Sequence, residues 1–268
     1  MSIEGRPERS RSTSTIHAAL EAGITLIDTA DAYHVDSDEV GHNETLIAEA
    51  LRSYGGDTTN VLVATKGGHL RPGDGSWIID SSPEHLRSAC DASLGRLGVE
   101  AIGLYQLHRP DESGVPYEES VGALRDLLDA GKIRMAGISN ANADQIRSAQ
   151  DVLGGRLASV QNQYSPAHRE SEAELRLCQE MGIAFLPWSP LGGISKAADL
   201  GTRFAAFQEI AHAHGVSPQQ VTLAWMLAAA PVVIPIPGSS RPETVIDSAR
   251  SVDLDLSDDE LERLGRAS

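Results

Sequence analysis

Four side chains are placed where they could do chemistry together. Asp28 ends the run I-T-L-I-D at residues 24–28, and Tyr33 follows in D-T-A-D-A-Y. Lys66 ends V-L-V-A-T-K, His108 ends L-Y-Q-L-H, and Ser139 and Asn140 end M-A-G-I-S-N. Each polar group closes an apolar run with strand character, and strand ends are where a parallel sheet delivers reactive groups to its rim. An acid, a phenol, an amine and an imidazole can together move a proton. A free phenol has a pKa of about 10 and gives up its proton reluctantly at neutral pH. A nearby ammonium favours the phenolate, so Lys66 is expected to lower the pKa of Tyr33, with Asp28 keeping Lys66 charged and aimed. His108 could hydrogen-bond a substrate oxygen and orient it. Taken singly, each has a plain structural alternative. Asp28 or Thr29 could cap a helix, Tyr33 could be an exposed loop residue, Lys66 a solvated strand end, and His108 a hydrogen-bonded core histidine. Jointly the four favour catalysis.

The elements that must position these groups alternate throughout. Ile16, Ala19 and Leu20 suggest a first helix closing near Gly23, and the strand to Asp28 follows. Asn43 reads as the cap of a helix that ends at Gly55 and Gly56. Residues 60–65 read as a strand and 67–77, rich in Gly and Pro, as an exposed loop. Ser82-Pro83 starts a helix to about Leu97, and strands at 101–107 and 133–138 flank a helix at 118–130. A helix at 143–153 leads to a short strand at 158–161, and Ser171 and Glu174 read as a capping box for the helix ending at Gly182. Then come a strand at 183–188, helices at 203–214 and 217–229, a last strand at 232–236, and helices at 242–251 and 257–264. This alternation predicts parallel crossovers in a single α/β domain with no linker or repeat.

The chain has 268 residues, 41% of them hydrophobic, which suits one (β/α) barrel of roughly 250 residues. A net charge of −16 argues against a nucleic-acid partner. No apolar run approaches the roughly 20 residues that span a membrane, and the first residues lack a signal-peptide core. The expected location is the cytoplasm. Cys90 and Cys178 form no C-x-x-C pair and read as small buried groups. No metal pattern is present, since His212 and His214 stand two apart and point to different sides of a helix.

In order and context, Asp28, Tyr33, Lys66 and His108 resemble the catalytic tetrad of the aldo-keto reductase family, and the similarity runs from about Ile16 to Ser251. The resemblance implies a TIM-type (β/α)8 barrel and the same four roles in NADPH-dependent reduction of an aldehyde or ketone. Hydride would come from a nicotinamide. Ser139, Asn140 and Gln161 suit its carboxamide, and Trp188 in P-W-S-P-L-G occupies the position where the family stacks an aromatic ring, with a barrel-rim core residue as the alternative. The loop 189–193, with Ser189, Leu191 and Gly192, offers backbone amides to the pyrophosphate, and Lys196 could add charge. No G-x-G-x-x-G is present to suggest a Rossmann site. P-I-P-G-S-S-R at 235–241 stands before a helix N-terminus, a natural phosphate site. The resemblance implies that this run, with Gly238, Ser239 and Arg241, holds the 2′-phosphate of NADPH, the alternative for Arg241 being a solvated charge. Asp247-Ser248 stand where family members often carry Glu-Asn at the adenine.

Only about seven barrel strands are legible. The family opens with a β-hairpin and a first barrel strand, which this chain is expected to lack, and Met1 to Ile3 could be the end of that strand. The barrel is therefore expected to be incomplete, with strand edges near 24–28 and 232–236 that could close on each other, be filled by the N-terminal segment, or pair with a second chain as a weak homo-oligomer. A monomer is the other expectation. The alternative to an enzyme is an NADPH-binding sensor or interaction subunit with little turnover. The substrate, a small carbonyl compound, would be set by the loops at 34–41 and 68–77 and those after Pro110 and Gly193.

Overall fold

Short apolar runs that end in polar residues, each followed by an amphipathic helix, fold here into one parallel sheet wrapped by helices. The computed structural model describes residues 7–111, 114–193 and 196–268. Strands β1 (Leu26–Asp28), β2 (Leu62–Gly67), β5 (Ile102–Leu107), β6 (Ile133–Ser139), β7 (Leu157–Gln161) and β8 (Ala184–Phe185) lie side by side in that order, all parallel. A seventh segment joins through a parallel bridge from Phe185 to Val233, with Phe185 N donating to Val232 O and Ile234 N to Phe185 O. The expected seven strand positions are thus present in sequence order as an incomplete barrel.

The outer layer comprises α1 (Arg9–Glu21), α2 (His42–Ser53), α3 (Pro83–Leu97), α4 (Tyr117–Asp129), α5 (Ala143–Val152), α6 (Glu172–Met181), α7 (Leu200–Arg203), α8 (Ala205–His214), α9 (Pro218–Ala229), α10 (Pro242–Ala249) and α11 (Asp258–Ala267). The main core lies between helices and sheet, around Leu86, Leu124, Ile138, Ile146, Phe185 and Phe207. A smaller apolar cluster of Ala64, Leu104, Leu186, Leu26 and Ile236 fills the lower barrel interior.

Register builds the site's floor. Lys66 pairs with Gln106, Gln106 with Gly137, and Gly137 with Ser159, so these residues share one level inside the sheet. Gly137 leaves the space that its polar neighbours occupy: a Cβ there would lie 2.3 Å from Ser159 Oγ and 2.9 Å from Gln106 Cγ.

Ser82 and Ser217 cap their helices as expected, each accepting from the backbone three residues on. Two other caps differ. Asn43 is buried inside α2, whose N-cap is Gly41 at φ 77°, a left-handed turn fixed by Gly41 N donating to Asp31 O at 2.8 Å. Ser171 sits at the N-cap of α6 with ψ 19°, outside the extended region that turns a cap side chain onto the helix, and makes no cap bond. The loop 67–77 contains the start of a small hairpin, β3 (His69–Leu70) paired antiparallel with β4 (Ile78–Ile79).

Among the described residues no backbone hydrogen bond joins 24–28 to 232–236. Instead α1 and α10 pack outside that opening through Ala18, Ala19, Val245 and Ile246. The expectation for Met1 to Ile3 falls outside the described residues.

Candidate active site

The alternation of side chains along a strand decides which groups enter the barrel. In β2, Thr65 points outward, where its hydroxyl donates to Glu44 at 2.6 Å, and Lys66 points inward. In β5, Gln106 points inward, and His108, two residues on, continues the same face. Three strand ends, those of β1, β2 and β5, bring Asp28, Lys66 and His108 to one place, with Tyr33 on the turn after β1.

Lys66 is fully buried, and its three N–H donors are matched by three acceptors. Nζ donates to Asp28 Oδ2 at 2.6 Å, to Thr29 O at 2.7 Å and to the Tyr33 hydroxyl at 3.3 Å. The other Asp28 oxygen accepts from Gln161 Nε2 at 2.8 Å and from Gln106 Nε2 at 3.3 Å. Gln106 in turn accepts from Ser159 Oγ at 3.3 Å. The buried ion pair is therefore held by a chain of amides, which is what a charge pair removed from water requires. The Tyr33 and His108 rings meet edge to face, with centroids 5.7 Å apart.

Burial and charge set the protonation states. Burial works against the Lys66 ammonium, but Asp28 and Tyr33 outweigh it and hold its pKa above the usual lysine range. Tyr33 departs from expectation. Burial raises its pKa above the ordinary phenol value, and the opposing pull of Lys66 only partly offsets that. The phenol is thus kept protonated, a donor rather than a resident phenolate. His108 lies well below the usual histidine range because burial is reinforced by Lys66, His69 and Arg109, so its imidazole is neutral. Its Nδ1 is buried without a hydrogen-bond partner.

Beside this pocket lies a polar rim. Ser139 Oγ donates to Gln161 O at 2.7 Å. Asn140, at φ 57°, donates through Nδ2 to His108 O and Ser139 Oγ, both at 3.0 Å, and accepts from Trp188 Nε1 at 3.2 Å. Trp188 is half-buried. Gln161 differs in its use: one N–H of its amide is spent on Asp28. Ser189 at φ 50° and Gly192 at φ 85° shape the next loop, Leu191 packs on the core, and Lys196 is exposed. Ser239 Oγ donates to Arg241 O at 2.9 Å and meets Thr244 Oγ1, and Arg241 is exposed at the N-cap of α10 behind Gly238. Asp247 is committed elsewhere: one oxygen accepts from Ser217 Oγ and the other from Gln220 Nε2, each at 2.6 Å, tying α10 to the start of α9. Ser248 is half-buried beside it.

The chemistry of this rim fits an anionic dinucleotide. In a chain of net charge −16, the cations Lys196, Arg203 and Arg241 stand at a loop, at the end of α7 and at the start of α10, where a helix N-terminus favours anions.

Sequence reasoning missed several residues. Gln106 was legible, since it stands two before His108 and shares its face. Asn162 clasps Ala141 from both sides, with Oδ1 accepting from its N–H at 3.1 Å and Nδ2 donating to its carbonyl at 2.8 Å. His69 and Trp77 come from the hairpin, which carried no strand signal beyond two residues per arm. Arg203 approaches Gly192, its guanidinium 3.6 Å from where a side chain would begin.

Comparison with known proteins identifies relatives along the whole chain. The sequence model of the Aldo/keto reductase family matches residues 1–268. A 6-dehydroglucose reductase of Novosphingobium aromaticivorans is 36% identical over 244 residues, covering 88% of this chain and 79% of that protein. An aldo-keto reductase from Klebsiella pneumoniae solved with NADPH superposes with a TM-score of 0.80 at 27% identity, covering 96% of this chain and 84% of that one. A glycerol dehydrogenase from Gluconobacter oxydans gives 0.83 at 27% identity, covering 99% and 87%. With the family's sequence model matched end to end and the ends of β1, β2 and β5 meeting around one buried lysine, the chain belongs to the aldo/keto reductase family.

Proposed function

We propose that this protein reduces an aldehyde or ketone to an alcohol with NADPH, using Tyr33 as the proton donor. The observation that carries the reading is the buried Lys66 ammonium, shared between Asp28 and the Tyr33 hydroxyl. NADPH supplies hydride when bound. Ser139, Asn140, Gln161 and Trp188 would hold its nicotinamide end, the loop 189–193 with Lys196 its pyrophosphate, and Gly238, Ser239 and Arg241 its 2′-phosphate. Asp247 and Ser248, farther along α10, would lie nearest its adenine.

The chain's own part is proton delivery and orientation. A carbonyl oxygen seated between Tyr33 and the neutral His108 receives a hydrogen bond from each. As the oxygen gains negative charge, the Tyr33 proton moves to it and the phenolate left behind is stabilised by Lys66. Asp28 prevents Lys66 from shedding its proton in a buried site. The Trp77 indole and His69 imidazole wall the pocket on the hairpin side. The Novosphingobium relative acts on a sugar-derived carbonyl, so hydroxylated aldehydes and ketones belong in the screen.

The test is NADPH oxidation with 4-nitrobenzaldehyde. Turnover that falls by about 10²–10⁴-fold in Tyr33→Phe is the expected result; equal turnover in that variant would overturn the assignment of the proton. A second reading, a cofactor-binding sensor with little turnover, is favoured by the sheet edge that stays open between 24–28 and 232–236 among the described residues. It predicts a change in NADPH fluorescence without oxidation. The same edge would mediate a weak homo-oligomer, measurable by sedimentation.

A further inference from the structure

Arg71 stands beside the reacting groups with its charge unanswered. Among the described residues three arginines are half-buried, Arg71, Arg96 and Arg169. Arg96 has the carboxylate of Glu44 at 2.6 Å and Arg169 that of Glu172 at 2.9 Å. Arg71 has no carboxylate partner among the described residues. Its Nη1 donates to His34 O at 2.6 Å, its guanidinium sits over the Trp77 ring, 4.7 Å from the centroid, and its Nε is buried without a hydrogen-bond partner. The acids near it in the chain are occupied elsewhere. Asp74 accepts from Ser76 N at 2.9 Å and Ser76 Oγ at 2.6 Å, Asp80 from Ser82 N at 3.1 Å, and the Asp36 side chain from the backbone of Glu39. Both contacts of Arg71 place the cation at the pocket. His34 follows Tyr33 in the chain, and the Trp77 ring lies 5.3 Å from His69 and 6.5 Å from His108 between centroids. Arg109, next after His108, is exposed and adds positive charge on that side, while Asp28 is spent on Lys66. In a chain of net charge −16, a partly desolvated guanidinium without a counter-charge costs free energy that a bound anion would recover.

We propose that Arg71 determines specificity: the substrate is an aldehyde or ketone that carries a carboxylate, and Arg71 binds that carboxylate while the carbonyl lies between Tyr33 and His108. This rests on the reading of the pocket as a carbonyl-reducing site. A seat over the Trp77 ring face spends none of the guanidinium's N–H donors, and one is used on His34 O. The remaining fork matches the paired oxygens of a carboxylate, which a lysine ammonium would meet only as a point charge. The Trp77 indole stands between the guanidinium and the His108 imidazole. Several atoms must therefore separate the two ends of the substrate, and 2-oxo acids, whose carbonyl and carboxylate are adjacent, are too short to use both.

The test compares 4-carboxybenzaldehyde with its neutral methyl ester as substrates of the full chain with NADPH. Wild type should favour the acid, although the ester's carbonyl is the more electrophilic, and the acid-to-ester ratio of kcat/KM should fall as salt rises. Arg71→Gln, which keeps a donor for His34 O, should lower that ratio by about 10–150-fold, the value of a charge-assisted contact. Arg71→Lys, which keeps the charge without the fork, should retain part of the preference. A residue that only braces the hairpin against the Tyr33 turn would change both substrates together and leave the ratio where it was. A ratio in Arg71→Gln equal to that of wild type overturns the proposal. If the variants fold poorly, wild type carries the test, and a ratio that salt does not change overturns the proposal. Calorimetry with 4-(hydroxymethyl)benzoate, the alcohol made from the acid, separates this proposal from the reductase reading. Binding that weakens in Arg71→Gln, in a protein that reduces neither aldehyde, keeps the carboxylate site and removes the reductase reading. Reduction of both aldehydes with the same ratio in wild type and variant removes the carboxylate site alone.

Discussion

The imidazoles of His69 and His108 lie with centroids 4.1 Å apart and planes tilted by 34°. His69 comes from β3 of the hairpin and His108 from the end of β5, so this contact fastens the hairpin to the pocket around Lys66. Trp77 closes the group, 5.3 Å from His69, and Arg71 stacks on Trp77 while donating to His34 O at 2.6 Å. The hairpin is thereby held to the turn that follows Tyr33.

Two imidazoles in contact cannot both be charged at low cost, and the first prediction follows. Burial, then Arg109 and Lys66, push His69 down to about 4, and His108 lies well below its usual range. Both pKa values are depressed in the folded state, so the stability they contribute is full above the unfolded value of about 6.5 and is lost as pH falls toward 4. Thermal melts from pH 8 to 4 should show that loss, and it should shrink in His69→Gln. Reductase activity should show no histidine titration between pH 6 and 8, because neither ring changes charge there. A wild-type activity limb with an apparent pKa near 6.5 that is abolished in His69→Gln would contradict this.

Asp28 carries the second prediction. It accepts from Lys66, Gln161 and Gln106. Asp28→Asn keeps the shape but leaves a buried ammonium without its counter-charge, and breaking such a pair costs about 3–5 kcal/mol. Denaturant unfolding should register that loss. The ammonium should then deprotonate more readily, so kcat for reduction should fall at neutral pH and recover in part at lower pH, where Lys66 is recharged. A loss of kcat that is equal at every pH would mean that Asp28 does not act through Lys66.

Much of this arrangement was legible because strands obey a two-residue period. Asp28, Lys66 and His108 each terminate an apolar run, and such a run signals a buried parallel strand whatever else surrounds it. The order of the six strands and the seventh segment follows from parallel crossovers. Other features were not legible because they depend on pairs distant in sequence. Thr65 and Glu44 are 21 residues apart, and Asp28 and Gln161 are 133 apart. Neither separation is implied by any local pattern. The sign of the Tyr33 shift was misjudged for a related reason: sequence shows that a lysine is near, but the depth of burial, which outweighs it, comes only from packing. The Asn43 cap failed because Gly41 takes a left-handed turn dictated by its bond to Asp31, again a contact across the chain.

Gly137 supports the third prediction. It lies at the level of Lys66 in the sheet, between Gln106 and Ser159, with no room for a methyl group. Gly137→Ala forces Ser159 and Gln106 aside, at a cost of about 1–3 kcal/mol for overpacking. Because Gln106 donates to Asp28, the strain should reach the site, and turnover should fall with stability. Ser159→Ala removes the nearest clashing atom, so the double variant should recover part of both losses. Strict additivity of the two substitutions in a double-mutant cycle would show that they do not meet at that level.

The fourth prediction uses Arg241 to separate cofactor recognition from catalysis. It is exposed at the N-cap of α10, with Pro242 at the first helical position and Ser239 bonded to its carbonyl, so its backbone is fixed while its fork is free to meet a dianionic phosphate. A charge-assisted contact of this kind contributes about 1.5–3 kcal/mol, which corresponds to roughly 10–150-fold in affinity. Arg241→Ala should therefore raise KM for NADPH by about that factor and leave KM for NADH and the kcat at saturating cofactor near wild type. High salt should reduce the difference between the two proteins, since an exposed charge contact is screened. If both cofactors weaken equally, Arg241 recognises something common to them, such as the pyrophosphate, and the 2′-phosphate must be read by other groups around Ser239.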